Sequence, residues 1–79
     1  MRAASWTRVV RVIRTIRPDL ADVVITTATH LVDDLGFDWD MYNNLAAEFQ
    51  REFGRRLTLA GLESIARVRD LIRLAEGAH

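Results

Sequence analysis

Few side chains in this sequence are equipped for covalent chemistry. There is no cysteine, and the histidines are His30 and His79; disulfides and thiolate-based zinc or redox sites are therefore excluded, and metal catalysis is not expected. The stretch richest in functional groups is Asp33-Asp34-Leu35-Gly36-Phe37-Asp38-Trp39-Asp40, four carboxylates around one indole. The spacing of these acids does not match a calcium loop, and acids clustered at a helix start serve as caps and as partners of its positive end. No metal site is expected. An indole donates one hydrogen bond and has no nucleophilic oxygen. Trp39 therefore has two uses open to it: sealing the bundle with its ring, or standing exposed as a rigid aromatic anchor rimmed by Asp38 and Asp40. His30 has no nucleophile near it in sequence and is expected to bond its own loop or face solvent. No triad is legible, no catalytic residue is assigned, and the chain is not expected to be an enzyme.

The elements that must position these groups are read from hydrophobic period. Trp6, Val9, Val10, Ile13 and Ile16 fall on one face of a first helix, with Arg8, Arg11 and Arg14 on the other as an expected solvated face and Ser5 or Thr7 as its cap. Pro18 ends that helix, because it has no N–H and crowds the residue before it out of helical space. Residues 19–36 read as a long ordered loop with a short turn at Asp19–Val23. Val24, Ile25, Leu31, Val32 and Leu35 are expected to hold it down. After Gly36 a second helix is expected, capped by Asp38 or Asp40. It buries Tyr42, Leu45, Ala46, Phe49 and Phe53, leaves Asn43, Asn44, Glu48 and Arg51 off that face, and closes at Gly54. Arg55 and Arg56 suit its negative end. Thr58–Leu62 forms one turn, and a last helix starting near Ser64 buries Val68, Leu71, Ile72 and Ala75. The expected class is all-α, three main helices plus one short one around a single core, in one domain over residues 1–79.

Composition narrows the function classes. At 79 residues with 49% apolar content, folding buries about 60% of the unfolded surface and leaves little for a deep cleft. The net charge of zero conceals a pattern. Residues 1–17 hold five arginines and no acid, residues 18–54 hold eight acids against Arg51 alone, and residues 55–79 hold five arginines and three acids. An acidic block between basic ones points to a charged recognition surface in the centre of the chain. A helix-turn-helix around Gly61, with Arg55, Arg56, Arg67, Arg69 and Arg73 as its cations, is a loose match. A neutral chain lacks the net basic face that duplex binding uses, so nucleic acid is disfavoured as a partner. No apolar run reaches the length of a membrane span and no signal-peptide core is legible, so the expected location is the cytoplasm.

Three segments together carry a resemblance: Asp34-Leu35-Gly36-Phe37-Asp38, then Glu52-Phe53-Gly54, then Ile65-Ala66-Arg67-Val68-Arg69-Asp70-Leu71-Ile72. In this register, with Ile25-Thr26 and Leu31-Val32-Asp33 upstream, the chain resembles the acyl carrier protein family over roughly residues 8–75. The resemblance implies an acyl-carrier-like four-helix bundle whose second helix opens with the serine that carries 4′-phosphopantetheine. Trp39 occupies that serine position and Asp40 that of the following leucine. Transfer from coenzyme A needs an oxygen nucleophile, which the indole lacks. Ser5 and Ser64 lie in other elements, and Tyr42, one turn on, sits on the apolar face.

The expectation is thus a carrier-like module with no cofactor, acting through protein–protein contacts near a fatty-acid, polyketide or peptide assembly system. The expected partner surface is Asp38, Trp39, Asp40, Asn43, Asn44, Glu48 and Arg51, and a carrier-recognising biosynthetic enzyme is one candidate partner. Two alternatives remain open: a carrier that holds acyl groups non-covalently, or whose parent sequence has serine at position 39; and a small helical nucleic-acid-binding protein.

Overall fold

The computed structural model of the chain describes residues 2–77; His79 lies outside them. Helix α1 spans Arg2–Ile16. It starts before the expected caps, since Ser5 and Thr7 lie inside it; alanines at 3 and 4, the strongest helix formers, carry it back. Val9, Val10 and Ile13 are buried as their spacing predicts, and Val12 joins them. Pro18 stops the helix: Arg17 takes φ −125° and ψ 80°, and Pro18–Leu20 makes one 3-10 turn.

The connection to the next helix has no regular structure, and its backbone groups find partners at the far end of the chain. His30 and Arg67 form an isolated antiparallel bridge. Leu31 donates to the Ala66 carbonyl at 2.9 Å, while Val68 and Arg69 donate to the carbonyls of Thr29 at 3.0 Å and Thr27 at 2.9 Å. Thr29 is buried, and its hydroxyl accepts the Thr26 N–H at 2.8 Å. Ile25, Leu31 and Leu35 are buried as expected, but Val24 is 82% and Val32 46% exposed. The turns at 31–35 explain the second difference: Leu31 and Leu35 point inward at helical spacing, which leaves Val32 outside.

Helix α2 spans Trp39–Phe53. Asp38 is its cap, with Oδ1 accepting the Met41 N–H at 2.9 Å. Gly54, at φ 69°, closes it through an N–H to the Gln50 carbonyl at 2.8 Å. Helix α3 spans Leu59–Ser64, capped by Thr58, whose hydroxyl accepts the Gly61 N–H at 3.0 Å. Helix α4 spans Val68–Ala75, so it begins four residues later than expected from Ser64. Ser64 instead ends α3, donating to the Gly61 carbonyl at 2.7 Å. The reason is Asp70. Its Oδ2 accepts the N–H groups of Ala66 at 3.0 Å and Arg67 at 2.9 Å, which fixes the helix start just after them. Among the described residues the architecture is four α-helices and no strand, the all-α class expected.

Helix α1 packs on α2 and α4, and the buried side chains form one cluster. Arg8 departs from the expected solvated face. Its Nε meets Glu52 Oε2 at 2.6 Å, a second nitrogen donates to the Glu52 carbonyl, and the guanidinium lies 4.5 Å from the Phe53 ring centroid. The middle of α1 is thereby tied to the end of α2.

Burial alone would raise the Asp70 carboxyl, but the backbone N–H groups of Arg67 and Ala66, with Arg73 and Arg69 nearby, outweigh it and hold the group below the ordinary value. The charged form is therefore favoured by folding. Its stabilisation is present above the unfolded value of about 4 and is lost as pH falls through the lower folded value. Asp70→Ala is expected to cost about 1–2 kcal/mol at pH 7. In urea unfolding followed by circular dichroism, the gap between variant and wild type should close as the buffer is taken below about pH 4.

Candidate functional site

Trp39 is the first residue of α2, where Gly36 at φ 71° turns the chain out of the loop and Phe37 anchors it in the core. The indole is 52% exposed, which excludes the sealed-core use. Around it, Asp38 caps the helix, Asp40 lies exposed in the first turn, and Asn43 donates its side-chain N–H to the Trp39 carbonyl at 3.1 Å.

Beside the indole runs an open groove of about 250 Å³ lined by Val32, Trp39, Tyr42, Leu62, Glu63 and Ile65. Tyr42 makes its floor. Its hydroxyl donates to the Ile65 carbonyl at 3.1 Å, and Phe37 meets its ring edge-on at 5.9 Å between centroids. Burial, with the charge of Asp70 adding to it, pushes the Tyr42 phenol above its ordinary value, so the proton stays on the donor. A hydroxyl protonated and committed to a backbone carbonyl is no nucleophile. What this arrangement can do is desolvate an apolar group against the indole and groove wall while Asp38, Asp40 and Glu63 at the rim favour cationic neighbours.

The other residues of the expected surface lie apart. Asn44, Glu48 and Arg51 line a separate depression with Thr15, Ile16 and Ala47 at the seam of α1 and α2. Arg51 pairs with Glu48 at 3.4 Å. The structure thus groups Asp38, Trp39, Asp40 and Asn43 at the helix head and leaves those three on the flank. Sequence reasoning missed Val32, Leu62, Glu63 and Ile65 as neighbours of Trp39. The spacing of Leu31 and Leu35 signals the outward position of Val32; nothing local signals the approach of α3.

The remaining polar candidates have structural work. Asp34 Oδ2 accepts the His30 N–H at 2.7 Å, and His30 Nδ1 accepts the Asp33 N–H at 3.1 Å, which places the ring proton on Nε2. His30 is a loop-bonding histidine. Gly61 lies inside α3, not at a turn between two helices, and Arg67 donates to the Ala28 carbonyl at 2.7 Å; the helix-turn-helix placement therefore fails. Among the described residues no group of three or more His, Cys, Asp or Glu is placed to hold a metal ion. No helix among them is long and apolar enough to cross a membrane.

These elements define a small all-helical bundle with an aromatic, acid-rimmed helix head. No family model and no curated protein matches the chain.

Structural and exposed roles separate on substitution. Trp39→Ala is expected to change stability by less than about 1 kcal/mol, because the ring is half in water. Tyr42→Phe, which leaves the Ile65 carbonyl without its donor, is expected to cost about 1–2 kcal/mol. Above about pH 10 the unfolded phenol ionises while the folded one keeps its proton, so wild type loses stability as pH rises and the phenylalanine variant does not lose that share. Denaturant titrations at neutral and alkaline pH read both effects.

Proposed function

We propose that this chain is a carrier-like helical module that is not phosphopantetheinylated and works through protein contacts made by the head of α2. The observation that carries the proposal is the half-exposed Trp39 at the first position of that helix, between Asp38 and Asp40. The helix order, long–long–short–medium, with the extended connection before α2, is what the resemblance to acyl carrier proteins implies, and it supports the same reading. Fold likeness alone does not carry function; the indole does. Where a carrier presents a serine hydroxyl for transfer, this chain presents an aromatic face suited to insertion into a partner's pocket. A partner near a fatty-acid, polyketide or peptide assembly system follows from the resemblance.

A second reading rests on the groove beside Trp39. Its apolar wall of Val32, Leu62 and Ile65 suits the end of an acyl chain held without a covalent bond. Quenching of indole fluorescence in a Trp6→Phe background on titration with a medium-chain fatty acid would favour this use over protein contact.

Co-expression with a phosphopantetheinyl transferase, followed by intact-mass measurement, tests the main proposal. Wild type is expected to gain no mass, and the Trp39→Ser, Asp40→Leu double variant is expected to gain one phosphopantetheine. Modification of wild type, or failure of the double variant beside a carrier that is modified, overturns the proposal. In a pull-down, Trp39→Ala is expected to lose partners that wild type retains.

A further inference from the structure

The charge segregation in the sequence becomes two surfaces in the fold that share no lining residue. One is the head of α2, with Trp39 and Val32 exposed and Asp33, Asp38 and Asp40 around them. The other is the outer side of α1, where Trp6, Thr7, Val10, Arg11, Arg14 and Thr15 line an open groove of about 480 Å³, within the range of about 300–1,000 Å³ that small ligands and side chains occupy. Its floor is apolar, from Trp6 and Val10, and its wall is cationic. The Arg11 side chain is 63% exposed and reaches Glu52 only at 3.9 Å. Arg14 holds the Val23 carbonyl at 3.0 Å through one nitrogen, while its shielded Nε has no hydrogen-bond partner among the described residues. The groove thus offers an aromatic surface and two guanidinium groups, of which that of Arg11 is the more exposed.

We propose that the acidic, tryptophan-bearing head of α2 docks into the α1 groove of a second copy of the chain. This rests on the reading of Trp39 as a contact residue and names its partner. Indole against indole and guanidinium, with carboxylates facing Arg11 and Arg14, is complementary in both shape class and sign. The lining residues of the two surfaces are wholly different, so the two sides of each contact are unlike and the interface is heterologous. A single contact leaves one groove and one Trp39 unused. Such an interface closes into a ring where the rotation between copies allows it and otherwise adds copies without end. A patch anchored by one aromatic side chain and rim charges is small and transient, with dissociation in the micromolar to millimolar range, and it weakens as salt screens the charges.

Sedimentation of the full chain across concentration tests this, at about 0.01 M salt, where the screening length is about 30 Å, and at about 1 M, where it is about 3 Å. At low salt the mean mass should rise at least about twofold with concentration, and association should be about tenfold weaker at high salt. Trp39→Ala should be monomeric. So should Thr7→Glu, which places a carboxylate in the groove at an exposed position. The decisive sample is the mixture: Trp39→Ala keeps a working groove and Thr7→Glu a working indole, so together they should form a one-to-one dimer that grows no further. A monomeric wild type at low salt, or a mixture that stays monomeric, overturns the proposal. If wild type stays monomeric while the pull-down of another protein still requires Trp39, self-docking falls and the contact function stands; if Trp39→Ala changes neither, both fall.

Discussion

Three backbone hydrogen bonds hold the long connection against the start of α4, and the rest of the structure follows from them. The first amides of a helix have no partner within it. Here the Val68 and Arg69 amides donate to the carbonyls of Thr29 and Thr27, and the Leu31 amide returns a bond to Ala66. Two problems are answered at once: α4 gains acceptors that its own sequence does not supply, and a connection with no regular structure gains a fixed path that offsets the entropy of ordering it. Asp70 completes the junction by taking the two amides just before the helix. The Tyr42 hydroxyl ties α2 to the same place through the Ile65 carbonyl.

The position of Trp39 is a consequence of that junction. Once Leu31 is fixed, its carbonyl accepts the Phe37 N–H at 3.0 Å, and Arg17 takes the Leu35 carbonyl at 2.8 Å. Arg17 is itself held by a side-on pair to Asp19, at 2.9 and 2.7 Å, and these bonds hold the Asp19 carboxyl below its ordinary value. Gly36 and Phe37 then leave one direction for α2 to start. The indole at its first position stands outside the core because every inward position around it, at Phe37, Tyr42 and Leu45, is already filled.

What the sequence shows plainly is what local chemistry decides. Pro18 ends α1, Asp38 and Gly54 bound α2, and the stripe from Tyr42 to Phe49 faces inward, each for reasons contained within a few residues. The start of α4 is legible in principle, since Asp70 is an acid three residues into the helix, but the pattern reads on from Ser64, whose hydroxyl serves the end of α3 instead. Arg8 shows what local pattern leaves out. Its spacing places it off the apolar stripe, and only the approach of Glu52 and Phe53, forty-four residues away for the carboxylate, turns it into a tie between helices. The bridge between His30 and Arg67 is of the same kind: no periodicity announces it, because it pairs a loop with a helix start. The candidate site divides along this line. Trp39, Asp38 and Asp40 are visible together in the sequence, whereas Val32, Leu62, Glu63 and Ile65 join them only through the fold.

An exposed tryptophan in so small a protein contributes little to its stability. Full burial of an aromatic side chain is worth a few kcal/mol at about 25 cal/mol per Å², and a chain of this length has few such groups to place. Single exposed apolar residues are ordinary on protein surfaces and by themselves carry no meaning. Trp39 differs in its company: Val32 is exposed beside it in the same groove, acids bound the rim, and the Tyr42 floor already shields the core beneath. Removing the indole would leave that core covered. The side chain is therefore dispensable to the bundle and suited to a surface that meets it, which is why its role is sought in contact and not in packing.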